Sequence, residues 1–302
     1  MFTGCGTALV TPFTADRTLD ENTLRDLVRR QIEAGINFLV PCGTTGESPT
    51  LERAEHLRVV EITLEEAKGI VPVLAGAGGY NTGEVIELAR ELETMGVDGI
   101  LSVTPYYNKP TQEGLYQHYK AIATSISVPI IVYSVQGRTG VNVEPATLRR
   151  LAEIGNIIGV KEASGNIAQQ ARVIHEVPEK FLVLSGDDSI TLPLMALGGK
   201  GVISVVANEV PAGMTQLAQA CLAGDYVKAR ALQRRYLPLM DVNFVESNPI
   251  PVKAAMSLMG LLEPVWRLPL VPPAAASLEK IEAVLADLNL LAGRSLHAAN
   301  RD

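Results

Sequence analysis

A short apolar run, Ile157-Ile158-Gly159-Val160, ends on Lys161 and Glu162 and then on Ala163-Ser164-Gly165. Such a β-branched run suits a buried strand, so the sequence puts one amine at the end of a core element. Burying an ammonium costs solvation free energy, and a chain that does so usually supplies a partner carboxylate or lowers the pKa for a chemical task. Two readings compete: a structural ion pair, with Glu162 the nearest carboxylate, and a nucleophile that attacks a carbonyl to form an imine.

Other reactive types follow similar runs: Cys42-Gly43-Thr44-Thr45-Gly46-Glu47-Ser48, Thr104-Pro105-Tyr106-Tyr107-Asn108, Tyr133 through Gly140, Ser185-Gly186-Asp187-Asp188 and Ala207-Asn208. Tyr133 ends the run before that of Lys161. Neighbouring strands lie about 4.8 Å apart, so its phenol reaches a group bound to the lysine and can shuttle protons as an imine forms. Thr44 and Thr45, between two glycines, offer hydroxyls and backbone N–H groups to a carboxylate. Arg138, in a glycine-flanked loop, carries the planar fork that binds a second carboxylate. Each residue also has a plain reading: turn threonines, packed tyrosines, a solvated arginine, Asp187 and Asp188 as helix caps, Cys42 as a small buried hydrophobe. Their coincidence at one end of successive runs argues for a site.

The elements that must position these residues recur. Apolar β-branched runs start near Thr7, Phe38, Val71, Ile100, Ile130, Ile157, Leu182 and Val202, 20 to 33 residues apart by subtraction of these starts. That spacing fits one strand, one helix and two short loops, and therefore parallel strands with crossover helices. Asp20 caps a predicted helix carrying Leu24, Leu27, Val28 and Ile32 and ending near Gly35; Asn81 or Thr82 opens another that Gly96 ends; Pro145 begins a third, which ends before Gly155. Eight βα units favour an α/β fold of the (β/α)8 TIM-barrel type over residues 1–224, with an open doubly wound sheet as the alternative. The glycine-dense Gly76-Ala77-Gly78-Gly79 lacks the dinucleotide-binding spacing, which weighs against the open sheet. From Asp225 the strand pattern stops. Segments around Val227–Met240, Val252–Leu262 and Ser277–Leu291 read as helices, an all-helical C-terminal extension over 225–302 whose tail from Ala292 to Asp302 is expected to be poorly ordered.

Composition narrows the function classes. With 47% hydrophobic and 20% charged residues the 302-residue chain has ample core material, and a formal net charge of −7 without a basic run disfavours nucleic acid. Cys5, Cys42 and Cys221 have no paired spacing and suit reduced thiols. His56, His118, His175 and His297 form no ligand pattern, so no metal site and no cofactor is expected. No leader-like or membrane-length apolar segment is present, and a cytoplasmic protein without a membrane partner follows.

In combination, Cys42-Gly43-Thr44-Thr45-Gly46-Glu47, Pro105-Tyr106-Tyr107, Tyr133 through Gly140, Gly159-Val160-Lys161-Glu162 and Ser185-Gly186-Asp187-Asp188 resemble the pyruvate-dependent class I aldolase family, which includes N-acetylneuraminate lyase. The similarity spans essentially the whole chain. It implies a lyase in which Lys161 forms a Schiff base with pyruvate, Thr45 holds the pyruvate carboxylate and Tyr133 is the general acid and base. Thr44 and Tyr107 relay protons, Tyr107 being lent by a neighbouring subunit; Arg138 binds the carboxylate of L-aspartate 4-semialdehyde, and backbone at Gly186 and Ile203 lines the pocket. The implied step leads towards diaminopimelate and lysine, in a homotetramer built as a dimer of dimers. One departure is Ser134-Val135-Gln136, where the family commonly has Asn-Val-Pro, so the loop that aims Arg138 lacks its proline. The resemblance also implies lysine as an effector at a site matching Ser48, His56, Tyr80, Glu84 and Tyr106, although Arg53 and Tyr80 stand where lysine-sensitive members often carry histidine and asparagine. Competing functions are a sister aldolase for sialic acid or a keto-deoxy sugar acid, and a non-enzymatic keto-acid sensor.

Overall fold

The computed structural model describes residues 1–292, so the expectation for the tail beyond Ala292 lies outside the described residues, as does His297. Eight strands alternate with helices: β1 Gly4–Ala8, β2 Phe38–Val40, β3 Leu74–Gly76, β4 Gly99–Val103, β5 Ile130–Ser134, β6 Ile157–Glu162, β7 Leu182–Ser185 and β8 Gly201–Ser204. All paired strands are parallel, and the order β2-β1-β8-β7-β6-β5-β4-β3 is closed by a parallel bridge between Leu39 and Val73. Closure decides for the barrel over the open sheet. Two strand starts differ from expectation by more than one residue. β1 begins at Gly4 rather than Thr7, because Gly4 and Gly6 hide its apolar pattern, and β3 begins at Leu74 rather than Val71, because Pro72 has no N–H for the ladder.

The crossover helices are α1 Glu21–Glu33, α2 Arg53–Ala67, α3 Thr82–Met95, α4 Gln112–Ala123, a single turn α5 Gln136–Thr139, α6 Pro145–Leu151, α7 Ile167–Glu176, α8 Thr191–Ala196 and α9 Pro211–Leu222. Their ends follow from sequence chemistry. The Asp20 carboxylate accepts from the backbone N–H of Thr23 at the start of α1, the Asn81 side chain accepts from Gly83 N–H at the start of α3, and Gly96 closes α3 in the left-handed conformation. Helix α6 stops at Leu151, four residues short of Gly155.

Inside the barrel, alternate strand residues including Phe38, Leu74, Leu101, Ile131, Leu184 and Ile203 form a closed apolar plug. Three further helices, α10 Tyr226–Val242, α11 Ile250–Leu258 and α12 Ala275–Asp287, complete the described chain. Val252 and Met256 of α11 bury against Val10, Leu27 and Val205, at the carboxyl ends of β1 and β8. The helical extension therefore roofs part of the rim where sites in this fold are built. No helix among the described residues is long and apolar enough to cross a membrane.

Candidate active site

Strand alternation sets the direction of Lys161. The carboxylate of its neighbour Glu162 points outward, accepting from Gln169 Nε2 at 2.9 Å and Gln170 Nε2 at 2.7 Å on α7. Lys161 therefore faces the barrel interior. It is only 5% exposed, and its Nζ stands 4.2 Å from the centroid of the Tyr133 ring. Tyr133 and Lys161 are register partners on β5 and β6. The ion pair with Glu162 is not formed, because the two side chains leave opposite faces of one strand, and Lys161 joins no ion pair among the described residues. Space beside the lysine depends on Gly186: a Cβ there would lie 3.2 Å from Lys161 Cε and 2.7 Å from the Ala163 methyl. Ile203 lies in the same interior plug, so the structure gathers Lys161, Tyr133, Gly186 and Ile203.

A cavity of about 490 Å³ is lined by Thr44, Tyr133, Val135, Arg138 and Thr139 among others; Tyr133 joins it to the lysine, whereas Lys161, Thr45, Gly186 and Ile203 are not among its lining residues. The Gly43–Gly46 turn is folded tightly, with Gly46 N–H and Glu47 N–H donating to the carbonyls of Gly43 and Thr44. It packs against Gly76, where a Cβ would collide with the Cys42 carbonyl at 2.1 Å. Thr45 is buried, and its hydroxyl accepts from Asn248 Nδ2 at 3.0 Å. Arg138 stands on the single turn α5 rather than in an open loop; Gln136 is the first residue of that turn, where a proline would equally fit. Its guanidinium is tethered as well as solvated, since Nη2 donates to the Asn248 carbonyl at 3.0 Å.

Not every expected residue converges. Tyr107 is 90% exposed, with a left-handed φ of 66°, and lies away from Lys161 within this chain. Ser48, His56 and Tyr106 line the same cavity, whereas Tyr80 and Glu84 do not. Glu84 accepts from Asn81 Nδ2 at the start of α3, and Tyr80 packs edge-on against Tyr106 with ring centroids 5.3 Å apart. His56 is buried with its Nε2 2.9 Å from the Gly76 carbonyl; burial pushes its pKa down to about 4, against the raising effect of that hydrogen bond. Asp187 caps the short turn that follows β7, as expected. Asp188 does not cap a helix: it is buried, accepts from Val205 N–H and Val206 N–H, and has its pKa raised by burial to about 6.

One group of supporting residues was not anticipated. Glu47 and Lys253 are both fully buried and paired at 2.5 Å, linking the β2 turn to α11. The Glu47 carboxylate also accepts from Arg267 N–H at 3.3 Å, and the Arg267 guanidinium binds both oxygens of Glu55 at 2.6 Å. Lys253 Nζ and the Arg267 guanidinium both lie near the Phe13 ring. Burial lowers the Lys253 pKa, and Glu47 opposes that shift. The available signal was a lone lysine in the apolar run Ile250–Met256.

A closed (β/α)8 barrel whose sixth strand delivers a buried, unpaired lysine beside a tyrosine at the carboxyl rim defines a lysine-bearing barrel of the aldolase type. The chain matches the family model "Dihydrodipicolinate synthetase family" over residues 1–288 and belongs to that family. A 4-hydroxy-tetrahydrodipicolinate synthase of Chloroherpeton thalassium is 53% identical over 289 residues, covering 95% of this chain and 96% of that protein. Among solved structures, the chloride-inhibited dihydrodipicolinate synthase of Acinetobacter baumannii complexed with pyruvate is 43% identical. It superposes with a TM-score of 0.95 over 96% of this chain and all of its own, 100%. The Cyanidioschyzon merolae enzyme with lysine bound is 37% identical, with a TM-score of 0.92 over 96% of this chain and 99% of its own.

Proposed function

We propose that this protein is a 4-hydroxy-tetrahydrodipicolinate synthase, a lyase that condenses pyruvate with L-aspartate 4-semialdehyde. The observation that carries the reading is the buried Lys161, in register with Tyr133 and with no carboxylate partner among the described residues. The Lys161 amine attacks the keto carbon of pyruvate, and loss of water gives an imine. Tyr133 is the proton donor and acceptor for that step, with Thr44 relaying protons. Thr45 donates to the pyruvate carboxylate. Loss of a methyl proton yields the enamine, whose carbon attacks the aldehyde while Arg138 holds the second carboxylate. The amino group of the second substrate then closes the ring on the imine carbon and releases Lys161.

The same reading makes the protein a cytoplasmic homotetramer, a dimer of dimers, in which Tyr107 completes the proton relay of the adjacent subunit. Its 90% exposure on this chain supports that role. Lysine is the effector, at a site including Ser48, His56 and Tyr106, with Tyr80 and Glu84 at its edge; the lysine-bound relative supports this assignment. The test is a coupled assay of pyruvate with L-aspartate 4-semialdehyde or N-acetylmannosamine, with and without lysine, together with borohydride trapping. Turnover of the semialdehyde and a pyruvate adduct mapped to Lys161 are expected. Turnover of only the sugar aldehyde would assign a sister aldolase, and pyruvate binding without an adduct would assign a sensor.

A further inference from the structure

The helical extension contributes a residue to the rim that the sequence reading did not select. Asn248, between α10 and α11, is 5% exposed and touches both residues assigned to substrate carboxylates. Its side-chain Nδ2 donates to Thr45 Oγ1 at 3.0 Å, across 203 positions of sequence, and its backbone carbonyl accepts from Arg138 Nη2 at 3.0 Å, across 110.

The direction of the first bond matters. A threonine hydroxyl carries one proton and accepting lone pairs. Once a lone pair of Thr45 is engaged by the asparagine amide, its proton is left for another acceptor, and a carboxylate in the cavity is the acceptor the proposed chemistry supplies. An accepting partner at position 248 would instead draw that proton away. The Arg138 contact uses the backbone of Asn248, so it does not depend on the side chain that orders Thr45. The remaining side-chain atom, Oδ1, is buried and has no hydrogen-bond partner among the described residues.

We propose that Asn248 is a positioning residue for keto-acid binding: its amide donates to Thr45 and so directs the Thr45 hydroxyl proton at the substrate carboxylate. This rests on the assignment of Thr45 to the pyruvate carboxylate. The experiment is steady-state kinetics of the full-length protein and of N248A, N248D, T45V and T45V/N248A. In N248A the pyruvate KM rises about tenfold, the effect of one lost hydrogen bond to a charged group. N248D keeps the shape of the side chain but can only accept, and its pyruvate KM rises further. In the T45V background, adding N248A changes the pyruvate KM less than about twofold, because the group it acts through is gone. An unchanged KM in N248D, or equal effects of N248A with and without Thr45, overturns the proposal. If N248A does not fold, N248D against its parent decides alone. Borohydride trapping of the parent reports on the Lys161 reading separately: an untrapped parent sinks that reading, whereas a trapped parent with unaffected Asn248 variants sinks only this one.

Discussion

Tyr133 presents its ring face, rather than its hydroxyl, to Lys161: the nitrogen lies 4.2 Å from the ring centroid on the adjacent strand. Ring and hydroxyl thus have separable tasks. The face stabilises a cation by about 0.5–2 kcal/mol, while the hydroxyl stays available to a group bound on the nitrogen. Tyr133→Phe is therefore expected still to form borohydride-trappable pyruvate on Lys161, but more slowly, while lowering kcat by about 10²–10⁴, the usual contribution of a positioned acid and base. Tyr133→Ala removes both and slows trapping further. Equal kcat in Tyr133→Phe and the parent would remove the tyrosine from the proton transfers.

Lys161 is held in the interior with no opposing charge paired to it among the described residues, an arrangement suited to chemistry and costly to stability. Lys161→Met fills the same volume without a charge to desolvate. The variant is expected to lose all pyruvate trapping and to gain about 0.5–2 kcal/mol of unfolding free energy, the trade commonly found at active sites. Urea titration monitored by fluorescence of Trp266 checks the second half; a less stable variant would mean that the lysine is a structural element.

Glu47 and Lys253 form the opposite case, a fully buried pair that fastens the β2 turn to α11. Removing one partner strands the other charge in the interior, at a cost of about 3–5 kcal/mol. Lys253→Met is expected to lose that much stability and to raise the pyruvate KM, because Glu47 lies two residues from Thr45. Adding Glu47→Gln should restore most of the stability. Calorimetric melting of the two single variants and the double variant measures the coupling; strict additivity would show that the pair does not act as a unit.

Much of this architecture was legible in the chain because barrel strands are buried on both faces and read as continuous apolar runs. Lys161 and Tyr133 stood out as polar residues at the ends of such runs. Asn248 and Lys253 did not, since a polar residue within or just before a helix has no fixed meaning until its partner, 203 or 206 positions away, is known. Tyr107 illustrates another limit: its motif was recognisable, yet its position on a single chain is solvent. The destination of Asp188 was hidden for a related reason. An aspartate after a strand resembles a cap, but the turn that follows β8 offers it two N–H groups at Val205 and Val206.

Acid sensitivity follows from two buried histidines. His56 and His118 both have pKa values lowered by burial to about 4, from 6.5. Between those values the unfolded chain binds more protons than the native one, so stability rises with pH through that window and falls on acidification. The full effect is on the order of 3 kcal/mol per histidine. Asp188 acts in the opposite sense: its pKa is raised from 3.8 to about 6, so its contribution is complete below 3.8 and is lost as pH rises through 6. Burial raises Glu209 in the same direction. These acids partly offset the histidines, and replacing one histidine should therefore change the slope visibly. His118 has its Nδ1 2.9 Å from Thr82 Oγ1 and a buried Nε2 with no partner, so His118→Asn retains a polar group toward Thr82 without the titration. The variant is expected to lose less stability than the parent between pH 7 and pH 5. Urea unfolding at both pH values checks this, and parallel losses in the two proteins would place the acid sensitivity elsewhere.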